Sequence, residues 1–152
     1  MGYRVVDTTA VEPEPDRPST CRKLAAPAGL DELALNRFRA APGEQVPLAY
    51  HYHETQREAF YVLSGTLVVE TPDEQYAVEA DELFVVDPRS PQRAHNPETA
   101  DAAVELLAIG APPVAGDAVV YEPGAAGAGP GGSGDQRGRP GRPGQAGQPP
   151  AA

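Results

Sequence analysis

The stretch Gly43–Gly65, GEQVPLAYHYHETQREAFYVLSG, decides how the rest of the chain is read. Two of the protein's three histidines, His51 and His53, stand here one residue apart. Side chains repeat with period two along a β-strand, so both imidazoles leave the backbone on one face, which suits ligands of a metal ion. Glu54, Thr55, Gln56 and Arg57 then separate His53 from Glu58, which opens the β-prone run Ala59–Leu63. Four residues make an ordinary hairpin loop, and this one sets Glu58 across from His53 on the adjacent antiparallel strand. Two imidazoles and a carboxylate converge in that reading.

Working outward, the chain reads as short strands separated by turn signals. Upstream, alternation in LALNRFRA gives a strand from about Leu33 to Arg39, and APGE at Ala41–Glu44 suits a type II turn. Tyr3–Val6 is a candidate edge strand, and VEPEPDRP after it is an extended arm because its prolines exclude helix. Thr20–Leu30 fits helix or strand equally well. Downstream, Gly65 marks a bend before TLVVE, TPDE at Thr71–Glu74 is a turn, and Gln75–Val78 returns as a strand. LFVV at Leu83–Val86 is apolar at every position and is expected to be covered on both faces. PRSPQRAHN at Pro88–Asn96 interrupts the pattern, and AVELLAI at Ala103–Ile109 completes it as a strand. Eight to ten short strands with hardly any helix imply an antiparallel sandwich or barrel.

Composition bounds the function. The chain has 152 residues and a net charge of −10, enough for one core and unsuited to nucleic acid. From Gly124 the sequence GAAGAGPGGSGDQRGRPGRPGQAGQPPAA has no aliphatic residue larger than alanine apart from proline and no aromatic one, so a disordered tail is expected. Lys23 is the single lysine, and the acidic, lysine-poor composition resembles that of proteins from high-salt cytoplasm. A GC-rich genome gives the same bias. Cys21 is the single cysteine and has no intramolecular disulfide partner. No apolar stretch of signal or membrane-spanning length is present in MGYRVVDTTAVEPEPDRP, so the expectation is a cytoplasmic protein that does not bind membrane.

The order Gly43, His51, His53, Glu58, Gly65 resembles the first motif of the cupins, with four residues between the second His and the Glu and six between the Glu and the Gly. ADELFVVDPRSPQRAHN at Ala80–Asn96 stands where the second motif falls, and its Pro88 and Asn96 match. The resemblance covers about Leu33 to Ile109. It implies an all-β antiparallel jelly roll, or double-stranded β-helix, whose interior holds a divalent metal. The expected layout is an N-terminal strand and extended arm over 1–30, a barrel over 31–122 and a Gly/Pro-rich disordered tail over 123–152.

Departures from the family pattern bear on the site. Gly43 lies two residues further from His51 than is usual, and Ala80 and Arg89 replace glycines. Gln92 stands where the family has its third histidine. The ligand set carried over by the resemblance is therefore His51, His53, Glu58 and Gln92, with Mn, Fe, Ni or Zn as the ion. Gln92 is neutral, offers only an amide oxygen, and should weaken binding of softer ions. His95 lies at an odd offset from Gln92 and so points to the opposite face of a strand. Glu58 could instead be solvated or paired with Arg57 or Arg93, and Arg37 and Arg39 could face a pocket and hold an anion. Tyr50, Tyr52 and Tyr61 are expected to pack outward.

Two functions of different class follow. The first is a metal-binding cupin holding a small organic molecule in its barrel, of dioxygenase or isomerase type. The second is a metal-free ligand-binding or assembly module. A homodimer formed through outer strands is expected of such barrels.

Overall fold

The computed structural model describes residues 2–124, and the expected tail from residue 125 onward lies outside them. Ten strands are present among the described residues: β1 (Thr20–Lys23), β2 (Ala34–Ala40), β3 (His51–His53), β4 (Arg57–Ser64), β5 (Thr66–Glu70), β6 (Gln75–Glu79), β7 (Leu83–Val86), β8 (Arg93–His95), β9 (Val104–Ala111) and β10 (Ala118–Val120). A four-residue helix, Ala25–Ala28, resolves the ambiguity between β1 and β2, ending on Gly29 in the left-handed conformation that glycine adopts without a Cβ clash. Every pairing is antiparallel. The sheets run β1-β2-β9-β4-β7, β6-β5-β8 and β10-β3, the antiparallel jelly-roll barrel expected from the motif.

Alternation along the strands builds the core. In β9 the residues Val104, Leu106 and Ala108 are buried while their neighbours are partly exposed, and β4 does the same with Phe60 and Val62. Leu67 and Val69 of β5 close the barrel from the opposite sheet, both wholly buried. Burying a side chain of this size contributes about 1.5–3 kcal/mol, so the layer of β4, β5 and β9 dominates the packing. The inward face of β9 tapers from Leu106 to Ala108 to Gly110. At Gly110 a Cβ would sit 2.6 Å from the Gln56 amide, which occupies that space.

The turns follow their residues. Gly43 has φ +91 and the Glu44 N–H donates to the Ala41 carbonyl at 3.0 Å, as in a type II turn. Gly65 has φ +81, and a Cβ there would meet the Ala103 carbonyl oxygen at 2.6 Å. Asn96 is buried and donates through Nδ2 to the carbonyls of Ala40 and Ala102, tying the end of β2 to the loop before β9.

Four expectations are corrected. Tyr3–Val6 forms no strand, and Tyr3 and Val5 are fully exposed, because nothing apolar faces them. Pro88–Asn96 is interrupted only in its first half, since β8 forms once the prolines are passed. β7 is covered on one face alone: Phe84 and Val86 point inward, whereas Leu83 and Val85 are 56% and 54% exposed, because β7 lies at the edge of its sheet. Finally, β3 and β4 are not a hairpin. β3 pairs with β10, and Glu58 of β4 is flanked by Val86 of β7 and Gly110 of β9. No helix among the described residues is long and apolar enough to cross a membrane.

Candidate metal centre

Although the expected hairpin is absent, His51, His53 and Glu58 do meet. Each offers a ligand atom, and these atoms lie within 4.8 Å of one another. The imidazoles reach inward from β3 by the period-two rule, and Glu58 reaches inward from β4 in line with Phe60 and Val62. Contact is made between sheets, across the barrel interior: His53 Nε2 is 3.6 Å from Glu58 Oε2. The group lines one end of a cavity of about 350 Å³ that Phe38, Val46, Phe60 and Ala108 make apolar. The cavity opens where the inner face of β9 narrows.

Each imidazole has a partner on the nitrogen away from Glu58. His51 Nδ1 lies 2.9 Å from the Ala49 carbonyl, which fixes the proton on Nδ1 and leaves the Nε2 lone pair free. His53 Nδ1 faces Asp117 Oδ2 at 3.5 Å, an ion-pair distance slightly long for a hydrogen bond. Asp117 is itself buried and accepts from the backbone N–H groups of Thr55 and Gln56. Such a carboxylate–histidine pair orients a metal ligand and raises its basicity. Asp117 escaped the sequence reading because it lies beyond the motif, next to β10, a strand of three residues. Its only signal is the turn-forming Gly116-Asp117 step before AVV.

Electrostatics favour neutral imidazoles. Burial pushes the His51 pKa down, with the charges of His53 and Arg17 adding to it and the Ala49 carbonyl opposing. Burial also lowers His53, against the pull of Asp117. Glu58 moves the other way, pushed up to about 7 by burial. In Asp117 burial works upward, but the N–H groups of Gln56 and Thr55, with His53, hold it below the usual carboxylate range.

Gln92 reaches the same place from the second motif half. It is 2% exposed and lines the cavity. Its Nε2 donates to Glu58 Oε1 at 3.4 Å, and its Oε1 is buried with no hydrogen-bond partner. Its backbone is joined to His51 in both directions, Gln92 N–H to His51 carbonyl at 2.9 Å and His51 N–H to Gln92 carbonyl at 3.2 Å. His95 is placed elsewhere, in β8 opposite Val68 and outside the cavity lining, as its odd offset requires. The alternative partners of Glu58 are otherwise engaged, Arg57 with Asp87 and Arg93 with Glu70. Arg37 and Arg39 both pair with Glu105 and do not line the cavity. Tyr50, Tyr52 and Tyr61 stay outside the cavity lining.

The donor set suits a divalent ion: two neutral imidazoles, one carboxylate and an orphaned amide oxygen. Comparisons with known proteins agree with the architecture. Residues 36–110 match the family model of the cupin domain. A curated relative, polyketide synthase CurC of Streptomyces cyaneus, is 33% identical over 92 residues, covering 57% of this chain. The chain spans 56% of that relative's length. Among solved structures, the polyketide cyclase RemF of Streptomyces resistomycificus superposes with a TM-score of 0.61 at 24% identity, covering 72% of this chain and 80% of that one. A sugar phosphate isomerase of Silicibacter pomeroyi superposes with a TM-score of 0.60 at 21% identity, over 71% and 75% of the two chains. Barrel topology, motif spacing and matched family model together establish that this chain belongs to the cupin superfamily.

Proposed function

We propose that the barrel, taken as residues 31–122, binds one divalent ion through His51, His53, Glu58 and Gln92 and holds a small polycarbonyl molecule of polyketide type beside it. The observation that carries this reading is the convergence of two neutral imidazoles and a carboxylate at the end of an apolar cavity of about 350 Å³. A cavity of that size falls in the range of small-molecule sites. The substrate class is supported by the 33% identity to a protein named as a polyketide synthase.

When bound, the ion would act as a Lewis acid toward a carbonyl oxygen and acidify the neighbouring C–H. The chain's own residues do the rest. Phe38 and Phe60 hold the apolar body of the molecule and exclude water, and Asn36 offers a side-chain amide on the cavity wall. Glu58 is the carboxylate placed to accept a proton in an isomerase-type step and return it, since burial brings its affinity for a proton near neutrality.

Metal content tests the reading. Protein purified without chelator should carry stoichiometric Mn, Fe, Ni or Zn, or take one up on titration, and His51→Ala should abolish uptake. Absence of metal in both experiments overturns it. One observation favours a metal-free ligand-binding module instead: with Glu58 protonated, the Gln92 contact closes the site with no ion present. A second copy of the chain is the proposed partner, across the free edge of β7 where Leu83 and Val85 are exposed. A monomer in sizing experiments at micromolar concentration would remove that partner.

A further inference from the structure

Arg17 lies in the proline-rich arm before β1, outside the matched family region, yet it lines the cavity that holds His51, His53 and Glu58. Its surroundings set it apart from the arginines on the strands. Arg37, Arg39, Arg57 and Arg93 each meet a carboxylate, at Glu105, Glu105, Asp87 and Glu70 respectively. No carboxylate lies within ion-pair distance of Arg17 among the described residues. Of its five N–H donors one makes a hydrogen bond, Nη2 to the Val46 carbonyl at 3.4 Å, and Nε is buried with no partner. The group is nevertheless held in place. Its Cζ sits 5.6 Å from the centroid of the Phe38 ring, a cation–π distance, and that ring also lines the cavity.

A guanidinium with free donors and a fixed plane is a fork for a planar, two-oxygen anion. The other titratable groups facing the cavity are His51, His53 and Glu58, so Arg17 is its one permanent charge. The protein as a whole is strongly acidic, and a positive cavity is the feature that lets an anion bind against that background.

We propose that Arg17 is the anion-binding residue of the cavity, and that the ligand carries a carboxylate or an ionised enol that docks on its guanidinium while its apolar body lies against Phe38 and Phe60. This deepens the proposed function by giving the charge class of its small molecule, but it does not require the ion.

The test is calorimetric titration with 2-naphthoate and its neutral near-isostere 2-naphthamide, on metal-loaded protein and on protein stripped with chelator. A charge-assisted hydrogen-bond pair corresponds to an advantage of about ten- to a hundredfold for the anion. The stripped wild-type protein should show it, Arg17→Gln should bring the two affinities close to equality by weakening naphthoate alone, and Arg17→Lys should restore part of the preference. Equal affinities in the wild type, a preference that survives Arg17→Gln, or no naphthoate binding at millimolar concentration overturns the inference. The wild-type comparison stands even if a variant folds poorly, and unchanged naphthamide affinity verifies that a variant folds. Protein that never holds metal but discriminates through Arg17 sinks the metal reading and leaves this one. Protein that holds metal without discriminating does the reverse.

Discussion

Glu58 controls how the centre responds to pH. Its buried carboxyl titrates at about 7, whereas burial keeps His51 and His53 below their ordinary value. A metal ion therefore competes with the Glu58 proton before it competes with either imidazole. Metal affinity is expected to fall by about tenfold per pH unit below neutrality, with about one proton released on loading at pH 6. Calorimetry in buffers of different ionisation enthalpy reads both quantities. The same shift acts on stability with opposite sign to a salt-bridged carboxylate. Between the unfolded value near 4.5 and the folded value near 7 the folded state holds the extra proton, so this contribution is lost as pH rises through that window. Metal-free Glu58→Gln should then gain stability relative to wild type between pH 5 and pH 8, measured by denaturant titration. At Gln92 the expectation concerns ligand type. Gln92→His would replace an amide oxygen by an imidazole at a position already 2% exposed and facing the cavity, and should tighten Zn or Ni by about an order of magnitude. Unchanged affinity would place Gln92 outside the coordination sphere.

Two short elements hold these residues where the chemistry needs them. The turn after β7 carries Arg89 at φ +67, the left-handed region, at a position where cupins usually have glycine. Its N–H donates to the His53 carbonyl at 2.7 Å, so the strained turn props β3 from behind. The left-handed conformation costs a non-glycine residue about 1–2 kcal/mol, only part of which the greater freedom of unfolded glycine takes back. Arg89→Gly should raise stability by about 0.5–1 kcal/mol and leave the metal site intact, visible as a higher Tm with unchanged metal stoichiometry. β10 acts on the other edge of β3, with Val119 opposite Tyr52 and Ala118 opposite His53. Asp117 precedes it and orients His53. Asp117→Asn keeps the shape and removes the charge, and should weaken metal binding about 10–100-fold with little change in fold, read by metal titration alongside circular dichroism.

At the scale of the molecule, charge is lopsided. Up to residue 124 the chain carries twenty-one carboxylates against nine lysines and arginines. Repulsion among them is screened by salt, so Tm should rise between low and molar NaCl, and a flat response would show that the ion pairs already balance the surface. The barrel was legible because its code is local: period-two alternation and the turn residues at Gly43, Gly65 and Thr71–Glu74 each act over a few positions. The convergence of His51, His53 and Glu58 was legible for the same reason, but its route was not. Spacing suggested a hairpin, whereas β3 and β4 turn out to pair with strands far away in sequence, and pairing partners leave no mark in a local pattern. Asp117 and Arg17 were missed because each stands outside any periodic segment, one beside a three-residue strand and the other among prolines. Their roles exist only once distant chain closes around the cavity.

The double backbone bridge between His51 and Gln92 has a consequence of its own. It joins the two halves of the donor set by main chain, with no ion taking part. The amides of both residues should therefore exchange slowly with deuterium in the stripped protein as well as the loaded one. Loss of the ion would leave a cage still standing with its door open, ready to refill at a speed set by the ion shedding its own water.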